Sequence, residues 1–204
     1  MHAALGETAQ YQLPLDDDRI ALNPLIGSHL KLIFSGEIHC SNCGRRTNKS
    51  YSQGHCFPCM KKLASCDMCI LKPETCHYSA GTCREPSWGE ANCMTDHIVY
   101  LANTAGAKVG ITRGSQVPTR WLDQGASQAL PIFRVSTRFI SGLIETALAE
   151  HVKDKTNWRA LLKGEPEPID LVALASELIP KISSTLDEVS ETYGNDSWER
   201  LDEH

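Results

Sequence analysis

The 204-residue chain predicts an α+β protein in which a small β-rich zinc-finger region precedes a ββαβαα domain and a C-terminal helical hairpin. Three observations carry this. All nine cysteines fall between Cys40 and Cys93. From Ile98 onward, short runs with strand character alternate with helical ones. After a Glu-Pro-Glu-Pro linker, two apolar stripes of helical period close the chain. The divisions expected are a β-rich segment over 1–39, a cysteine-rich zinc-binding region over 40–96, the ββαβαα domain over 97–164 and a helical appendage over 165–204.

In the first segment, Tyr11–Leu15 reads as a short strand ended by three aspartates. Leu30–Phe34 reads as a second strand, and Glu37-Ile38-His39 leads back from the Ser35-Gly36 turn. The expected role of this sheet is to feed the first cysteine pair. Cys40 and Cys43 form one Cys-x-x-Cys turn and Cys56 and Cys59 a second, with twelve residues between the pairs. Each turn offers two thiolates to one ion, and two turns complete a closed tetrahedron, the arrangement of a structural zinc site. Met60 to Ala64 favours a helix start, so the second pair sits at a helix N-terminus. That makes the finger treble-clef or ribbon-like, and the helix dipole helps hold thiolates there. Arg45, Arg46, Lys49, Lys61 and Lys62 surround it, a pattern shared by nucleic-acid fingers and by protein-interaction scaffolds.

Between Ser65 and Trp88 there are too few apolar residues to build a core, and such a segment needs a staple. A bound zinc supplies folding energy on the order of 10 kcal/mol at neutral pH. A second zinc is therefore expected on Cys66, Cys69, Cys76 and Cys83. Cys93, His77 and His97 stand close enough in sequence to replace a ligand, and an iron–sulfur cluster is the alternative occupant.

No run of eighteen apolar residues exists, so no membrane span is expected, and the N-terminus lacks a basic and an apolar signal region. The expectation is a cytoplasmic protein, where paired cysteines more often hold metal than form disulfides. The net charge of −5 is unevenly spread. Residues 31–144 carry 13 Lys or Arg against 7 Asp or Glu, whereas residues 145–204 carry 6 against 14. A basic middle between acidic ends is compatible with phosphate contact on one face.

Ile98–Ala102 and Lys108–Thr112 read as two strands joined by a glycine-containing turn. Val117–Gln124 reads as a short helix with Pro118 near its start and Gly125 at its end. Pro131–Thr137 is a third strand. From Ile140 the period turns helical, with Ile140, Leu143, Ile144, Ala147, Leu148, His151 and Val152 on one face. Thr156-Asn157 caps a further helix, Trp158–Leu162. Beyond the linker, Leu171, Leu174, Ala175, Leu178 and Ile179 form one face and Ile182, Leu186 and Val189 another. These are expected to pack on the sheet or to bind a protein partner, and Trp198–His204 is expected to fray.

This order, with Val99-Tyr100 on the first strand, Lys108-Val109-Gly110-Ile111-Thr112 on the second, Arg120 in the first helix and Glu145 in the next, resembles the GIY-YIG nuclease superfamily. The cysteine block joined to Lys-Val-Gly-Ile-Thr-Arg and Arg-Trp-Leu-Asp-Gln-Gly-Ala also resembles an uncharacterised bacterial family, a domain of unknown function. The first resemblance implies catalytic roles for Tyr100, Lys108, Arg120 and Glu145. Glu145 would hold magnesium or manganese, Arg120 would clamp the scissile phosphate, and Tyr100 would orient water or take its proton. Lys108 stands where the family has its second tyrosine, Gln124 where members often carry Tyr or His, and Ile98 where the leading Gly belongs. The expected function is a zinc-containing protein that acts on nucleic acid, DNA or RNA, as a divalent-metal phosphodiesterase. The alternatives are a binding module that keeps the fold without the general base, and a thiol redox or metal-handling protein.

Overall fold

The computed structural model describes residues 1–15, 17–152, 164 and 166–201. It is a mixed α/β protein of small sheets and short helices with a cysteine-rich region on its N-terminal side. The helix expected at Trp158–Leu162, with its Thr156-Asn157 cap, lies outside the described residues. No helix among them is long and apolar enough to cross a membrane.

The chain opens with an antiparallel three-stranded sheet, β1 (His2–Leu5), β2 (Ala9–Leu15) and β3 (Asp18–Ala21). The strand expected at Leu30–Phe34 does not form. The segment has no pairing partner, because the N-terminal sheet closes upstream of it, and Leu32 is left 93% exposed. Nor does the sheet feed the cysteines. Tyr11 donates its hydroxyl to the Leu122 carbonyl at 3.0 Å, which anchors the sheet on a helix more than a hundred residues away. Ile38–His39 (β4) instead pairs with Arg46–Thr47 (β5), a hairpin that carries the first cysteine turn. Helix α1 (Phe57–Lys62) follows, with Cys56 as its N-cap. A series of 3-10 turns leads to α2 (Pro86–Asn92).

The main sheet is four-stranded and antiparallel, ordered β7-β6-β8-β9, from β6 (His97–Asn103), β7 (Ala107–Arg113), β8 (Gln128–Val135) and β9 (Trp198–Arg200). The last strand corrects the expected fraying over Trp198–Arg200; residues 202–204 of that segment lie outside the described residues. Trp198 pairs with Val135, stacks edge-on against Phe133 at 5.5 Å and donates its indole N–H to Ser190. Its large apolar ring gains more from that pocket than the terminus gains from mobility.

Strand β6 is buried along its whole length because both faces are covered. Period-2 alternation sends Ile98, Tyr100 and Ala102 to one face, against Val117 and Trp121 beside α3 (Thr119–Asp123), which Gly125 ends at φ 65°. Val99 and Leu101 face the other way, onto α4 (Arg138–Ala149). Thr137 caps α4 by accepting from the Ile140 N–H, and Ile140, Ile144 and Leu148 supply its buried stripe. His151 falls past the helix end and is exposed, so it leaves the expected face. Helices α5 (Leu171–Leu178) and α6 (Ser183–Tyr193) put Leu171, Ala175, Leu178, Leu186 and Val189 into the same core. Their apolar stripes are thus consumed inside the protein.

Candidate functional site

Local sequence builds the first cysteine group. Cys40 and Cys43 lie in the tight turn between β4 and β5, while Cys56 caps α1 and Cys59 sits in its first turn. The Cys56 N–H donates to the Cys40 sulfur at 3.2 Å, Asn42 donates to the Cys59 sulfur at 3.4 Å, and the Cys43 and Cys56 sulfurs are 3.8 Å apart. All four sulfurs lie within 4.8 Å of one another, so this group could hold zinc. The backbone N–H of Cys56 pulls the Cys40 thiol well below its ordinary range. Asn42 pulls the same way on Cys59, but burial and the neighbouring thiols push Cys59 up. Four thiols in one shell cannot all ionise on their own, and a divalent cation removes that conflict.

The second group differs from the expected set. Cys69, Cys76, Cys83 and Cys93 line one small cleft with Trp88 and Gly89. Cys66 is not among its walls, and Cys93, at the end of α2, takes its place. His77 also borders the cleft, but His97 does not. His97 is fully buried on β6, with Nδ1 2.7 Å from the Thr95 carbonyl. The physical reason for the exchange is packing: α2 lies against Tyr78 and Cys83 of the loop before it and carries Cys93 at its end, which the Cys-x-x-Cys spacing of Cys66 could not reveal. None of the nine cysteines forms a disulfide.

A cleft of about 590 Å³ runs along the β7 edge beside these centres. Its walls include Lys108 and Arg113 from β7, Arg120 from α3, and Arg138 and Glu145 from α4. Four cations and one carboxylate thus line the cleft, and Glu145 is the only carboxylate on its walls among the described residues. Helices α3 and α4 cover opposite faces of the sheet, yet Arg120 and Glu145 line the same cleft because β7 is an edge strand. Arg113 closes the Lys-Val-Gly-Ile-Thr-Arg run, whereas Arg138 belongs to neither motif. Arg138 had a signal, since it lies seven residues before Glu145 and shares its helix face. Arg138 also ties the wall together, donating to the Ile70 carbonyl at 2.7 Å, and Arg113 donates to Asn92.

Tyr100 does not reach the cleft surface. It is fully buried, stacked edge-on against Trp121 at 5.8 Å, and its hydroxyl donates to Gln124 Oε1 at 3.0 Å. Gln124 in turn lines the cleft. Burial pushes the Tyr100 hydroxyl above its ordinary range; the Arg120 charge and the Gln124 hydrogen bond oppose this without offsetting it. The proton acceptor role that needs a lowered pKa thus has no support at Tyr100, and the hydroxyl positions Gln124 instead.

The model of one protein family, described as a protein of unknown function (DUF2797), matches residues 27–202. No curated protein and no solved structure matches the chain.

Proposed function

Because the chain belongs to the DUF2797 family, whose description assigns no activity, we propose a function from the cleft itself: a zinc-containing protein of GIY-YIG-like type that acts on nucleic acid and hydrolyses a phosphodiester held at the β7 edge. The observation that carries this reading is that Lys108, Arg113, Arg120, Arg138 and Glu145 share the walls of one cleft. A cationic cleft beside low-dielectric walls concentrates phosphate, and guanidinium groups grip it with paired N–H donors. Arg120, exposed on its short helix, serves as the clamp. Lys108 stands on the edge strand as a second phosphate contact.

A single carboxylate among four cations is a poor cage for a free divalent ion. It fits magnesium or manganese once substrate phosphate oxygens complete the shell, which is how such ions are commonly held. When bound there, the ion would supply charge neutralisation and an activated water. Glu145 would orient it, Arg120 would hold the phosphate against it, and Gln124, fixed by Tyr100, would hydrogen-bond the water or the phosphate.

The zinc site adds a second contact surface. Tyr51 and Phe57 are exposed, their rings 5.3 Å apart, with the Lys49 ammonium over Tyr51 and the Lys61 ammonium over Phe57. Aromatic faces flanked by lysines suit stacked bases beside phosphates. The structural zinc would set the distance between these two aromatic residues.

The burial of Tyr100 favours a second reading, a binding module that keeps the clamp without the general base. A screen of the metal-loaded protein against single- and double-stranded DNA and RNA, with and without magnesium or manganese, separates the two. Cleavage that needs the divalent ion supports hydrolysis. Salt-sensitive binding without cleavage supports the module. Binding to none of the four nucleic acids removes both.

A further inference from the structure

We propose that Cys69, Cys76, Cys83 and Cys93 hold a four-iron iron–sulfur cluster, a metal centre different in kind from the Cys40–Cys59 zinc site. The four cysteines come from separate stretches, spaced by six, six and nine residues, and no two of them form a Cys-x-x-Cys turn. They nonetheless border one cleft, beneath Trp88 and Gly89. Gly89 makes the approach feasible: a Cβ there would stand 3.3 Å from the Cys83 sulfur and 2.9 Å from the Tyr78 ring.

Spacing separates the two centres. Four sulfurs on one zinc at 2.3 Å sit about 3.8 Å apart. Among the described residues, the groups whose ligand atoms all lie within 4.8 Å of one another are the first quartet and the trio Asp67, Cys69 and His77. The second four cysteines are therefore more widely set than a single-ion shell, and about 20 Å³ of open space remains in their cleft. A sulfur shell closed on one ion leaves no room for even a water-sized probe. A cluster in which each iron takes one cysteine holds its thiolates further apart, and it needs no paired turn.

The Asp67, Cys69 and His77 trio does not compete. Asp67 already pairs with Arg84 at 2.6 Å and accepts from the Met68 N–H at 2.6 Å, and His77 Nδ1 lies 2.8 Å from the Thr82 hydroxyl. A cluster with four thiolates is anionic, and Arg138 and Arg113, which line the neighbouring cleft together with Cys93, are placed to balance it. Cys93 and Trp88 border both this cleft and the cationic one, so the cluster braces the wall of the proposed phosphate site.

The test uses the full chain, expressed with iron and sulfide supplied and purified without oxygen. Expected are about four iron and four acid-labile sulfide per chain with broad visible absorption, beside one zinc. Cys93→Ser and Cys76→Ser should lose iron and colour, and Cys66→Ser should keep both. Wild-type protein that holds zinc in both centres and no iron overturns the cluster. So does iron that survives in folded Cys93→Ser but disappears in folded Cys66→Ser. The wild-type iron and sulfide measurement stands even if a serine variant fails to fold.

Discussion

Gly110 and Tyr100 face each other across the β6–β7 ladder so closely that a Cβ on Gly110 would lie 2.7 Å from both the hydroxyl oxygen and Cζ of Tyr100. The glycine of the Lys-Val-Gly-Ile-Thr run is thus a seat for the tyrosine ring. Gly110→Ala should destabilise the protein by about 1–3 kcal/mol, the usual cost of overpacking. Tyr100→Phe in the same chain should restore part of the loss, because Cζ still crowds the new methyl group. A thermal unfolding series of the two single variants and the double variant measures this coupling.

Gly142 has the same function between regions. A Cβ there would meet Pro73 Cβ at 2.5 Å and the Glu74 nitrogen at 2.6 Å. Helix α4 therefore lies directly on the cysteine-rich region. Gly142→Ala should separate the two, with a cost of about 1–3 kcal/mol or more, since backbone must move. Limited proteolysis should then cut faster between Cys66 and Glu85, and unchanged cutting would show that the contact is not needed.

The first cysteine group should carry zinc whose removal unfolds its surroundings. Hairpin β4–β5 has two residues per strand and α1 has six, too little to stand without the metal. Cys40→Ser or a strong chelator should release one zinc and abolish amide protection from Ile38 to Lys62, while β6 stays protected. Metal analysis with hydrogen exchange follows both.

His97 makes acid stability depend on one buried ring. Burial holds it down at about 4, and Arg138 and Arg113 add to this against the Thr95 carbonyl. Between an ordinary pKa of about 6.5 and that value, the unfolded chain binds a proton that the folded chain does not. Stability should therefore fall as pH drops through this window, by at most about 1.4 kcal/mol per pH unit from this group. Thiolate ligands add their own acid loss. The diagnostic is the difference between wild type and His97→Gln in denaturant titrations from pH 7 to pH 4, which should be flatter for the variant.

Arg120 and Glu145 serve as opposite probes of the cleft. Arg120→Ala should weaken nucleic-acid binding and reduce the salt slope by about one unit. Glu145→Ala should leave binding without divalent metal equal or tighter, because it removes the carboxylate from among the cations. Any cleavage should disappear in both. A folded Arg120→Ala protein that binds every nucleic acid as the wild type does would sink the phosphate clamp.

What the sequence determined by itself was local. Paired cysteines three residues apart can meet one ion through a single turn, so the Cys40, Cys43, Cys56 and Cys59 group was legible from spacing. Strands β6, β7 and β8 and helix α4 followed from periodicity, because alternating and 3.6-residue patterns reflect which side of an element faces the core. Tertiary structure decided everything that depended on which faces meet. Cys93 borders the second cysteine cleft and Cys66 does not, because α2 packs against Tyr78 and Cys83 and brings its C-terminal Cys93 there. Tyr100 is sealed behind Gly110 and Gln124, although its place in the motif suggested an exposed hydroxyl. Trp198 pairs with the sheet and Leu30–Phe34 does not, since a strand forms only where a partner offers a free edge. Arg113 and Arg138 join Arg120 and Glu145 only because β7 is the outermost strand, and that order comes from long-range pairing that no local pattern encodes.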